Sequence, residues 1–280
     1  MRFFKKHQTI INIFLSMLLA YFVVNAVTDD AWAHFLVYSF LIAVWGFVYR
    51  ANAAAWLGMY QRAKGRDNHG VALLRWAIDK NTSSAAAYVH LAVYLLRKGS
   101  PDEAYALLER AELRSPGILL DKNIRLSKAS CMWKMGQVGK GIEILEQMRK
   151  DYEYVNPHVL ATLAYFYFLT DDDDKAVELS KAALEEEPAL AAAWDNLGQI
   201  CFRKGDMAGA RENLLKAWEY KPNLADCLFY LGRVEEAEGN TDKAVEYYQQ
   251  AVRCDISALN TITRAEVEEA LDRLNTAEAV

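Results

Sequence analysis

Residues 191–222 read AAAWDNLGQICFRKGDMAGARENLLKAWEYKP, and the spacing of large, small and turn-forming residues in this stretch decides the fold. Trp194, Leu197 and Gly198 fall at i, i+3 and i+4, which is one face of a helix. Gly205 then supplies a residue that accepts a left-handed backbone at a turn. Ala210, Leu214 and Ala217 repeat the helical spacing, and Pro222 ends the second helix. The stretch predicts two short antiparallel helices, with small residues where they approach and large ones filling the gaps.

The pattern returns every 34 residues. One step upstream stand Leu160, Leu163, Ala164, Tyr167, Ala176, Ala183 and Pro188; one step downstream stand Leu228, Leu231, Gly232, Gly239, Ala244, Tyr248 and Ala251. Another good copy holds Tyr88, Leu91, Ala92, Gly99, Ala104, Leu108, Ala111 and Pro116. Two copies are weaker: 122–156 keeps Ala129, Gly136, Gly141 and Leu145, and 51–84 keeps Leu57, Gly58, Gly65, Leu74 and Ala77. These positions resemble the tetratricopeptide repeat (TPR), with Cys201 replacing the tyrosine usual at the eleventh position of 191–224. The resemblance implies an all-α TPR solenoid of about six repeats, at 51–84, 85–118, 122–156, 157–190, 191–224 and 225–258. No helix pair hides its apolar face alone, so neighbours stack and the last one needs a lid. Within 259–280, Thr263 and Glu266 have capping-box spacing, and Val267, Ala270, Leu271 and Leu274 form one apolar stripe.

Ahead of the repeats, residues 1–50 predict a membrane anchor. Thr9–Val27 and Ala31–Tyr49 are uncharged runs of nineteen residues each, separated only by Thr28, Asp29 and Asp30. Each is long enough for a bilayer's hydrocarbon core, and the short connection predicts a transmembrane helical hairpin. Lys5 and Lys6 precede the first run, while Arg50, Arg62, Lys64 and Arg66 follow the second. The positive-inside rule places both termini in the cytoplasm, with lipid contact through residues 9–49 at a bacterial inner (plasma) membrane. A cleaved signal peptide ending near Val24-Asn25-Ala26 is the competing reading. No Gly, Pro or Ser linker lies between Tyr49 and Ala55, so the second apolar helix runs into, or abuts, the first repeat helix.

The 280 residues carry a net charge of −5, and residues 51–280 alone carry −7, an unsuitable field for nucleic acid. The four cysteines are far apart, without zinc-ligand spacing, and read as small buried side chains in a reducing compartment. Asp171–Asp174 lack the glycine and distant glutamate of a calcium loop, and read as a helix cap. No phosphate loop, nucleophile elbow or zinc-protease motif occurs, so the sequence predicts no catalytic residue, no cofactor and no metal.

By the TPR resemblance, the first helix of each repeat faces a groove. The groove residues predicted to meet a protein partner are Trp133, Tyr165, Phe168, Asn196, Gln199, Phe202, Arg203, Phe229, Tyr230 and Arg233. Such a wall suits an extended peptide or an amphipathic helix. The fifth position never holds lysine, which argues against a clamp for an acidic chaperone tail. The expected function is a membrane-anchored scaffold that assembles a complex at the cytoplasmic face. The alternatives are an assembly or maturation factor of the envelope with its repeats outside the cytoplasm, and a homo-oligomer associating through the repeats.

Overall fold

The computed structural model describes residues 19, 21–23, 25 and 30–277, with backbone alone for 33 and 275–277. Among these residues there are thirteen helices and no strand. The expected first span, Thr9–Val27, lies outside the described residues except at 19, 21–23 and 25, which are helical. The chain divides into two compact units, 1–87 and 88–280.

The first unit contains α1 (Ala31–Ala63) and α2 (Asp67–Asp79). The apolar run and the first repeat helix form one continuous helix of 33 residues, as the missing linker predicts. Asp30 caps it, accepting from the Trp32 N–H at 3.0 Å. Its C-terminal half packs on α2 through Ala55, Leu74, Ala77 and Ile78, all buried. Contact there is close: a Cβ on Gly70 would lie 2.7 Å from the Gly58 carbonyl oxygen. Toward the N-terminus, Trp32, Phe35, Leu36, Phe40, Ile42 and Phe47 are each more than 60% exposed. The stretch His34–Ala63 is long and apolar enough to cross a membrane, and none of its most apolar window is buried.

The second unit stacks helix pairs: α3 (Ala85–Arg97) with α4 (Pro101–Glu112), α5 (Ile118–Lys134) with α6 (Val138–Asp151), α7 (Pro157–Leu169) with α8 (Asp173–Glu186), α9 (Ala191–Arg203) with α10 (Met207–Tyr220), and α11 (Ala225–Ala237) with α12 (Thr241–Arg253). The inter-helix turn repeats at Gly65, Gly99, Gly136, Gly205 and Gly239, with φ between 74° and 82°. In the α7–α8 pair Asp171 takes this place, at φ 61°, a conformation that aspartate tolerates better than most residues. The acidic run that follows caps as expected: the Asp172 carboxylate accepts from the Lys175 N–H at 3.2 Å. Helix α5 departs from the pattern, with 17 residues against 13 in the other first helices of the unit. No glycine or proline interrupts 118–121, so the helix gains a turn at its start and exposes Ile118 and Leu119.

The core runs between neighbouring pairs. Ala210, Leu214 and Ala217 are fully buried against Cys227, Leu231 and Val234. Closing the stack, α13 (Arg264–Ala277) lays Val267, Ala270 and Leu274 over Tyr248 and Ala251. Its capping box forms: the Glu266 carboxylate accepts from the Thr263 N–H at 2.6 Å, and the Glu266 N–H donates to the Thr263 hydroxyl at 3.2 Å.

Candidate protein-binding groove

The first helices α3, α5, α7, α9 and α11 form the inner wall of the second unit, and its concavity shows in what it surrounds. Arg97 at the end of α3, Lys134 at the end of α5, Tyr165 in α7 and Asp226 in α11 all reach the short segment 255–262. A flat or convex surface would not bring four of the five layers onto one loop.

Two aromatic rows line this wall. Trp133 meets Tyr165 edge-on at 5.3 Å between centroids, and Tyr165 continues to Phe168 at 6.0 Å. Phe202 meets Tyr230 at 5.8 Å, and Tyr230 meets Phe229 at 5.6 Å. Each row carries a guanidinium: Arg203 lies 3.8 Å from the Phe168 centroid, and Arg233 lies 5.3 Å from that of Phe202. The Lys134 ammonium sits 3.6 Å from the Trp133 centroid. Trp133, Tyr165, Phe168, Phe202 and Tyr230 are half-buried, and Arg233 is exposed.

The other sequence-predicted residues are placed differently. Phe229 is buried and packs against Tyr248. Asn196 is buried, its amide donating to the Ala161 carbonyl at 2.8 Å and tying α9 to α7. Arg203 donates to the Phe168 carbonyl at 2.8 Å and pairs with Asp171 at 3.0 Å and with Asp173. The structure therefore gathers the five half-buried aromatic residues and Arg233 on the wall, while Asn196 and Arg203 tie α9 to α7 and Phe229 packs within its own helix pair.

Gln199 is also buried, and it donates to the Asp195 carboxyl at 2.7 Å. Asp195 Oδ1 and Gln199 Oε1 have no hydrogen-bond partner. Burial, and next the nearby Asp226, push the Asp195 carboxyl well above the usual carboxylate range. A neutral carboxyl turns Asp195 from a buried charge with an unpartnered acceptor into a group with a proton to donate. Burial also raises the Tyr165 and Tyr230 hydroxyls, and both feel the charges of Asp195 and Asp226. Burial lowers the Lys134 ammonium, against the pull of Asp226 and Glu266.

Asp226 and Lys134 escaped the sequence reading. Their signal was the connection between α12 and α13, residues 254–263, where α8–α9 and α10–α11 are joined by only 187–190 and 221–224.

Fold and wall together define a repeat-built helical protein of stacked antiparallel pairs. Residues 57–117 and 189–257 match tetratricopeptide-repeat family models, and the chain carries tetratricopeptide repeats. Over 150 residues it is 27% identical to the peroxisomal targeting signal receptor of Komagataella phaffii, across 51% of this chain and 26% of that receptor. It thus spans about a quarter of the receptor's length. Among solved structures, the APC/C hetero-tetramer Cut9–Hcn1 superposes with a TM-score of 0.64 at 17% identity, over 80% of this chain and 42% of that one. Yeast Tom70 gives a TM-score of 0.57 at 14% identity, over 82% and 47%. These two likenesses concern the fold.

Proposed function

We propose that this protein is a membrane-anchored TPR scaffold that binds a protein partner on its inner wall and brings it to the cytoplasmic face of a membrane. The observation that carries the reading is the pair of half-buried aromatic rows, Trp133–Tyr165–Phe168 and Phe202–Tyr230, with cations against their faces. Large rings held in place by neighbours lose little entropy on binding, and are the residues that dominate protein interfaces. An extended peptide or one face of an amphipathic helix fits such a wall. The likeness to a receptor named for a targeting signal favours a peptide ligand.

The exposed apolar half of α1 supports lipid as its surroundings, because burying that stripe of tryptophan, phenylalanine and leucine is strongly favourable. Arg50, Arg62, Lys64 and Arg66 at its far end support a cytoplasmic location for the repeats. Protease added to spheroplasts is the test of orientation. The repeats stay intact under this reading, and digestion from outside favours the envelope-factor alternative.

A photocrosslinking side chain at Phe202 tests the wall. It is expected to trap one discrete partner, while the same group at Leu215, exposed on α10, traps none. Equal patterns from both positions would remove the wall from the binding surface.

A further inference from the structure

The wall is not empty. Residues 254–263 leave α12, fold into a turn in which the Ser257 N–H donates to Asn260 Oδ1 at 2.8 Å, and engage four first helices before α13 begins. The Ala258 N–H donates to the Arg97 carbonyl at 3.0 Å, and Asp255 pairs with Arg97 at 3.2 Å. Lys134 Nζ donates to the Asn260 carbonyl at 2.8 Å. Asp226 accepts from the Asn260 amide, the Thr261 N–H and the Thr261 hydroxyl, each at 2.5 Å, and from the Ile262 N–H at 3.3 Å. The Tyr165 hydroxyl lies against that of Thr261.

Two features separate this from an ordinary connection. Four residues suffice to pass from α10 to α11, so the loop is longer than the step requires, and its surplus is spent on contacts with helices 34 to 161 residues away in sequence. The contacts are mainly polar, and residues 256–261 stay half-exposed, with apolar anchorage confined to Ile256 and Ile262 on the core under α13. Such a segment opens more cheaply than the helices around it.

We infer that residues 255–262 are a built-in occupant of the inner wall, which a partner displaces in order to bind. The inference rests on the wall being the partner site, as proposed above. It also sets the chemistry of the ligand. A displacing peptide offers Asp226 what Asn260 and Thr261 offer it, backbone N–H groups with a hydroxyl or amide side chain, and it offers Lys134 a carbonyl. An acidic tail brings acceptors to Asp226 where Asn260 and Thr261 bring donors, and is disfavoured. Because the occupant is tethered, its effective concentration is of millimolar order, so a loop with micromolar intrinsic affinity for the wall weakens a ligand added in trans roughly 10²- to 10³-fold.

The test uses the full chain in detergent and, as probe, a fluorescein-labelled peptide of residues 254–263 with Cys254 replaced by serine. Asn260→Ala with Thr261→Ala releases the loop, and this variant is expected to bind the probe at least tenfold more tightly than the unmodified chain. Adding Asp226→Asn is expected to abolish the gain. As a second check, Gly99→Cys with Ala258→Cys places the two Cβ atoms 3.6 Å apart, within disulfide reach, and because Gly99 sits at φ 82° the oxidised and reduced forms of this one variant are compared with each other. Oxidation then shuts the loop and is expected to suppress the partner crosslink from Phe202, with reductant restoring it. A folded release variant that binds the probe no better than the unmodified chain overturns the inference. So does a crosslink that oxidation leaves unchanged, and there the groove reading survives. Absence of any crosslink in both redox states discards the groove reading itself.

Discussion

Asp195 carries the clearest electrostatic consequence among single residues. Its folded pKa is raised, so the stability tied to its neutral form is complete below the ordinary carboxylate pKa of about 4 and drains away as pH rises through the folded value. Asp195→Asn keeps the shape and the contact with Gln199 while removing the ionisation. We expect it to stabilise the chain by about 1–3 kcal/mol at pH 8, with the gain vanishing near pH 4. Denaturant unfolding at the two pH values measures this, and equal shifts at both would refute it. The turn glycines give a second expectation. Nothing lies within 4 Å of a Cβ built on Gly205, so its φ of 79° is the whole constraint, and Gly205→Ala should cost about 1 kcal/mol. At Gly198 a Cβ would sit 2.5 Å from Leu214 Cγ, and Gly198→Ala should cost about 1–3 kcal/mol through overpacking. The 34-residue register made these small positions legible in sequence. It did not show that Asp171 stands in for the turn glycine, because an aspartate run before a helix reads first as a cap.

Among the elements, α1 joins two environments in one rod. Its 33 residues rise about 50 Å at 1.5 Å per residue, with large exposed side chains along the first half and Ala55 and Gly58 packed on α2 in the second. Asn52 fastens the return of the chain, its side-chain oxygen Oδ1 accepting from the Thr82 hydroxyl at 2.6 Å and the Ser83 N–H at 3.0 Å. Asn52→Ala leaves the buried Thr82 hydroxyl and that amide to find other partners, and should destabilise the α1–α2 unit by about 1–2 kcal/mol. Hydrogen exchange at the amides of 77–84 reads the effect directly, and unchanged protection there would contradict it. Continuity of α1 was legible because a flexible joint needs glycine, proline or polar residues, and 50–54 has a helical composition. The inner loop was illegible, since a hydrogen bond from Lys134 to Asn260 leaves no periodic trace.

At the scale of the whole molecule, the all-α repeat architecture was readable because each pair repeats the same steric solution. The inner wall was readable only in part. Helical position identified which residues face inward, and so recovered Trp133, Tyr165, Phe168, Phe202, Tyr230 and Arg233. It did not distinguish a side chain offered to a ligand from one consumed by internal packing, such as Asn196 against α7 or Phe229 against Tyr248. The most direct test of the account is quantitative recovery of the crosslinked or co-purified partner from membranes, comparing the unmodified chain with Phe168→Ala/Phe202→Ala and with Leu215→Ala. The account predicts at least a tenfold loss for the aromatic pair, at unchanged helicity and melting temperature, and no loss for Leu215→Ala. Equal recovery from all three would contradict it.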